Sequence, residues 1–147
     1  LFKPMGSPDQ LKTYWQDIPA APPVHPQSKT LVIDLDNTIT VEEKGTPYAH
    51  KKPHLPIIQK LHHYKKRGYS IIIYTARRMQ THNGNEAKLL ADIGETTFRW
   101  LNEHNVPYDG IKIGKPFAEN GFYVDDKSIR PDEFLSLSEQ EILELIQ

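Results

Sequence analysis

Two carboxylates set two residues apart, Asp34 and Asp36, end the apolar run Leu31-Val32-Ile33 and lead into Asn37-Thr38. Side chains two apart share one face of a strand, so this pair would crowd like charges unless the backbone turns or a cation sits between them. A bound divalent metal is the simplest resolution. Local turn hydrogen bonds made by Asp and Asn at a strand exit are the plainer alternative. Three further apolar runs end in polar groups. Ile71-Ile72-Ile73-Tyr74 yields to Thr75-Ala76-Arg77-Arg78, Ile111-Lys112-Ile113 to Gly114-Lys115-Pro116, and Phe122-Tyr123-Val124 to Asp125-Asp126.

Elements able to bring these groups together can be read between the runs. Each run is short and rich in β-branched residues and is followed by a helical or turn pattern, which predicts an α/β fold with a parallel sheet flanked by helices. All four strands would then end at one edge, where ligands of open α/β sheets bind. Thr40 to His54 is polar and contains Gly45-Thr46-Pro47, as a hairpin or flap would. Leu55, Ile57, Ile58, Leu61 and Tyr64 mark one face of a helix ending near Gly68. Asn83 and Glu86 are a capping pair for a second helix with Leu90, Ile93, Thr97 and Leu101 on one side, closed by Pro107. Ser138, with Glu141 as its capping partner, opens a last helix carrying Ile142, Leu145 and Ile146.

The four strand ends, in this order, resemble the four motifs of the haloacid-dehalogenase-like phosphohydrolases. The resemblance implies a Rossmann-like core in which Asp34 attacks phosphorus and Asp36 is the general acid/base. Thr75 and Lys115 would hold phosphoryl oxygens. Magnesium would take Asp34, the backbone carbonyl of Asp36 and an acid of the fourth motif, with Asp126 preferred and Asp125 left to pair with Lys115. Chemically the set is coherent, since an anionic phosphoryl centre repels nucleophiles until its charge is neutralised. Members of this superfamily with large caps insert them between the first and second or the second and third motifs. Neither gap here holds more than a flap and one helix, so the resemblance is to a capless member with an open site.

Thr75-Ala76-Arg77-Arg78-Met79 with Thr81-His82-Asn83-Gly84-Asn85, then Gly114-Lys115-Pro116 and Tyr123-Val124-Asp125-Asp126-Lys127, resemble a subgroup of small bacterial phosphatases of capsule and surface-polysaccharide synthesis. That resemblance spans about residues 29–134 and implies a phosphorylated sugar or polyol as substrate. Ala76, Arg77, Arg78, His82, Asn83 and Asn85 are then substrate-binding candidates beside Thr75 and Lys115. Asn37 departs from the subgroup, where many members carry Gly.

Residues 1–28 read as an arm. Ser7-Pro8-Asp9-Gln10 is a helix start, and the helix would run to about Trp15. Prolines 19, 22, 23 and 26 then make an extended linker, leaving 29–147 as the phosphatase-like domain. Phe2 to Leu11 resembles a stretch near the end of sugar-phosphate nucleotidyltransferase domains, which implies a fused or partner nucleotidyltransferase. An arm docking on its own domain is the alternative.

Net charge is −1, with 18 basic and 19 acidic residues interspersed, so nothing suggests sequence-independent attraction to nucleic acid or anionic membrane. Cysteine is absent, which excludes disulfides, thiolate metal sites and thiol catalysis. No apolar run is long enough to span a bilayer and no leader pattern is evident, so a cytoplasmic protein is expected. A homo-oligomer or a partner domain could cover the open site. Two other readings stay beside a sugar-phosphate phosphohydrolase. One is a polynucleotide 3'-phosphatase or phosphoprotein phosphatase, and the other a non-catalytic phosphate-binding domain of a nucleotidyltransferase assembly.

Overall fold

A computed structural model of the protein describes residues 28–77 and 86–147. Three parallel strands, β1 (Lys29–Ile33), β2 (Tyr69–Tyr74) and β3 (Gly110–Lys112), lie in the order β1-β2-β3. Register aligns Ile33 with Ile73 and Ile73 with Ile111, so the three strands end nearly level. Asp109 fixes the last strand: its carboxylate accepts from Ile71 N at 2.7 Å, and its own N–H donates to Ile71 O at 2.8 Å.

Helices α1 (Leu55–Lys66) and α2 (Glu86–Glu103) connect the strands, and α3 (Pro131–Ser136) and α4 (Glu139–Leu145) follow the sheet. Parallel strands need such crossovers, and the result is an α/β fold consistent with a Rossmann-like core. Helix α1 buries Ile57, Ile58, Leu61 and Tyr64 as its periodicity predicts, whereas Leu55, at its first position, is exposed. Helix α2 buries Thr97 and Leu101, together with Phe98 and Trp100. The apolar side chains among these close on Ile33, Leu35, Ile71, Ile73 and Ile111 in one core. Ser138 caps α4 reciprocally with Glu141, accepting from Glu141 N at 3.1 Å while Ser138 N donates to Glu141 Oε1 at 2.9 Å. Among the described residues no helix is long and apolar enough to cross a membrane.

Between β1 and α1 the chain makes the expected flap. An antiparallel bridge, Thr40 with Pro53, closes its base, and Val41 N donates to Lys52 O at 2.8 Å. A 3-10 turn, Tyr48–His50, lies within it and packs on α2.

The fourth strand is a correction. Among the described residues Phe122-Tyr123-Val124 pairs with no strand, and Phe122 and Val124 are 82% and 87% exposed. The cause is local. Tyr123 Oη donates to Pro116 O at 2.7 Å and accepts from Ala118 N at 3.2 Å, which ties the segment to the loop before it. The arm with its helix and linker (1–27) and the Asn83 cap lie outside the described residues.

Candidate active site

The chain turns sharply after Asp36. Thr38, Ile39 and Thr40 all donate their N–H to Leu35 O, at 3.3, 2.9 and 3.1 Å, and Asn37 takes φ +59°. Asparagine is among the few non-glycine residues that tolerate this left-handed conformation. The turn sends the two acids to different partners, and so relieves their crowding. Asp34 Oδ2 accepts from Thr38 Oγ1 at 3.1 Å, and Asp34 Oδ1 lies 3.4 Å from Lys115 Nζ.

Thr75 and Lys115 meet through the backbone. Thr75 N donates to Lys112 O at 2.9 Å, and Gly114, at φ +83°, turns the chain so that Lys115 N reaches Thr75 O at 3.1 Å. A residue with a Cβ would be strained in that conformation. Three of the strand ends named from sequence, Asp34, Thr75 and Lys115, therefore share one edge of the sheet. The Thr75 hydroxyl is buried and accepts from Arg77 N at 3.0 Å, keeping its own hydrogen to donate.

Asp36 has its own surroundings. Arg77 donates from Nη2 to Oδ1 at 2.8 Å and from Nε to Oδ2 at 3.1 Å, a two-pronged pair. Lys51 Nζ from the flap stands 3.8 Å from Oδ1. The third guanidinium nitrogen, Nη1, donates to Thr97 Oγ1 at 2.9 Å, and the guanidinium carbon sits 4.0 Å from the centre of the Tyr48 ring. Arg77 was expected to bind substrate, yet its side chain is 1% exposed and all three of its nitrogens are engaged inside the protein. Ala76, beside it, is half-buried.

The acids of the fourth motif are not brought to the site. Asp125 and Asp126 are exposed, and Asp125 Oδ1 accepts from Lys127 N at 2.8 Å in its own turn. The expected Asp125–Lys115 pair is replaced by Lys115–Asp34, with the Lys115 ammonium held 4.4 Å over the Tyr123 ring. Of the acids expected to hold magnesium, Asp34 stands at the sheet edge beside Lys115, and the Asp36 side chain is turned to Arg77. Among the described residues no three His, Asp or Glu side chains converge, and both Asp36 oxygens face Arg77. Arg78, His82, Asn83 and Asn85 lie outside the described residues.

Four contributors were not singled out from sequence as site residues: Thr38, Tyr48, Lys51 and Thr97. Thr97 carried a signal, being a hydroxyl within the apolar stripe of α2. Lys51 and Lys52 are distinguishable only by the alternation of the flap's returning arm, which buries Lys51 and exposes Lys52. In sum Lys51, Arg77 and Lys115 face Asp34 and Asp36, three cations against two carboxylates, with Glu42 at the rim 4.0 Å from Lys51.

No protein-family model matches the chain, and no curated protein matches it. A crystal structure of a target protein from Vibrio cholerae does, with 40% sequence identity, a TM-score of 0.77, and 80% of this chain and 96% of that one covered. This chain belongs to the family of that Vibrio protein. The family unit therefore takes in nearly all of the Vibrio relative. Two structures of the Pnkp1/Rnl/Hen1 RNA repair complex are far more distant. One is 21% identical, with a TM-score of 0.43 and 58% of this chain and 25% of that one covered; the other is 22% identical, with a TM-score of 0.45 and 74% and 34% covered. What those complexes do is not transferable to this chain at such scores.

Proposed function

We propose that the protein is a haloacid-dehalogenase-like phosphohydrolase that cleaves a phosphate monoester, with a sugar phosphate of surface-polysaccharide synthesis as its substrate class. The observation that carries the reading is the meeting of Asp34, Lys115 and Thr75 at one sheet edge, with Asp36 two residues from Asp34. A carboxylate that is only partly screened, with an ammonium at 3.4 Å, is a nucleophile beside a charge able to receive phosphoryl oxygens.

In the proposed reaction an Asp34 oxygen attacks phosphorus, the bond from phosphorus to the ester oxygen breaks, and Asp36 gives its proton to that oxygen. Water then attacks the aspartyl phosphate while Asp36 takes a proton from it, releasing inorganic phosphate and restoring Asp34. Lys115 and the Thr75 hydroxyl hold the phosphoryl oxygens through both steps. Magnesium is proposed from the motif pattern alone, with Asp34 as the ligand already at the site; bound, it would neutralise phosphoryl charge.

Phosphate release across sugar phosphates, nucleotides, phosphopeptides and 3'-phosphorylated oligonucleotides, each with magnesium or with chelator, tests the reading. Selective release from a sugar phosphate that chelator abolishes is expected. Release from oligonucleotides or phosphopeptides alone would replace the substrate assignment, and no release from any ester would leave a phosphate-binding domain without catalysis.

A further inference from the structure

We infer that Arg77 is a positioning residue for Asp36 and no ligand for the substrate, and that the flap residue Tyr48 holds it in that role. The inference rests on the phosphohydrolase reading above. Its basis is how completely the guanidinium is accounted for. Nε and Nη2 grip the two Asp36 oxygens at 3.1 and 2.8 Å, Nη1 reaches Thr97 at 2.9 Å, and Tyr48 covers the face at 4.0 Å. A substrate hydroxyl would have to displace one of these contacts inside a pocket that leaves the side chain 1% exposed.

The grip suits a proton-transferring carboxylate. A planar fork fixes the rotation of the carboxyl group as well as its place, which a point charge does not. An ionised carboxylate offers about four lone-pair sites, and the fork occupies two of them. The remaining sites stay open to a proton, and the Asp36 side chain remains 27% exposed. Aim matters because a misplacement of about 1 Å can cost on the order of 10²-fold in rate.

The flap enters through Tyr48, whose ring backs the guanidinium, and through Lys51, whose carbonyl accepts from Trp100 Nε1 at 2.8 Å and whose ammonium approaches Asp36. The flap is thereby fastened to α2, the helix that also supplies Thr97. Substrate that displaces the flap would disturb the aim of Asp36, and substrate that settles it would improve that aim.

The test compares two esters that differ in their need for a proton. Para-nitrophenyl phosphate releases a stable phenolate unaided, whereas a primary alkyl phosphate must have its leaving oxygen protonated. Arg77→Lys should lose on the order of 10²-fold in kcat/KM, which reports leaving-group departure and not hydrolysis of the shared aspartyl phosphate, on the alkyl ester and less than about tenfold on the aryl ester. Tyr48→Leu, which leaves the core intact, should shift the same ratio by roughly tenfold, and it keeps the test open if Arg77→Lys misfolds. Equal losses in kcat/KM on both esters would make the role structural and overturn the inference. A raised KM with unchanged kcat would return Arg77 to substrate binding and overturn it as well. A wild-type protein that hydrolyses neither these esters nor any of the panel above sinks the phosphohydrolase reading and this inference together, whereas an active wild type whose ratio the variants leave unshifted sinks the inference alone.

Discussion

Two carboxylates near opposite ends of the sheet are surrounded by the same three residue types. Asp36, just past β1, has Arg77, Lys51 and Tyr48; Glu139, at the start of α4, has Arg67, Lys29 and Tyr69, beside the first residues of β1 and β2. The contacts are wired differently. Tyr69 Oη donates directly to Glu139 Oε2 at 2.6 Å, and Arg67, 51% exposed, gives both Nε and Nη2 to the single oxygen Oε1. At Asp36 the tyrosine touches the arginine and the arginine divides itself between both oxygens. The tyrosine hydroxyl, chiefly, and then Arg67 hold the Glu139 carboxyl well down, from 4.5 to about 2. Burial and the same hydrogen bond push the Tyr69 hydroxyl up. One arrangement saturates a carboxylate and anchors a helix to the sheet; the other orients a carboxylate and leaves it acceptor sites.

The largest expected effect separates the two ends outright. Asp34→Asn, with its mass checked for deamidation, should lower phosphate release on the order of 10⁴-fold while the circular dichroism spectrum and Tm stay near wild type. Glu139→Gln in the same assay should keep its rate. Near-wild-type turnover by Asp34→Asn would remove the nucleophile assignment and with it the functional side of the contrast.

A middle-sized effect tests whether the flap belongs to the Asp36 end. Trp100→Phe removes the donor to the buried Lys51 carbonyl and should cost about 1–2 kcal/mol in denaturant unfolding. Turnover should fall severalfold because Lys51 and Tyr48 are carried by the same loop. Lost stability with unchanged kcat would show that the flap packs on α2 without feeding Asp36.

How much of this was legible in the residues follows from the range of the signals involved. Strands β1 to β3 and the face of α1 are written in local apolar runs, and the Ser138–Glu141 cap in a four-residue pattern, so they are read correctly. Asp34, Thr75 and Lys115 meet because parallel strands ending level need no further information than their order. The run at Phe122 looked like a fourth strand by the same local test, but pairing is a tertiary choice, and the Tyr123 hydroxyl is satisfied in the preceding loop. Arg77 was named a ligand from the resemblance of its loop; its direction depends on Thr97 and Tyr48, about twenty and thirty residues away. Helix α3, six residues long, is too short for periodicity to announce, although its Phe134 stacks on Tyr64 with centroids 5.3 Å apart.

The smallest expected effect reads the Glu139 end through pH. A folded carboxyl at about 2 against an ordinary 4.5 binds its proton less readily than in the unfolded chain. Its contribution to stability is therefore whole above about pH 5 and is lost as the pH falls toward about 2. Glu139→Gln should lower Tm by a few degrees near neutrality, where the native carboxylate is ionised, and the gap to wild type should close through that acid window. A gap that keeps its size down to about pH 2 would mean that packing of α4, and not the charge, anchors the helix. Salt separates the remaining causes. Lys29 and Arg67 are largely solvent-facing, so their share screens away, whereas the Tyr69 hydrogen bond does not. A gap that persists in high salt but vanishes in a Tyr69→Phe background would assign the anchor to the hydroxyl, the contact that Tyr48 does not make to Asp36.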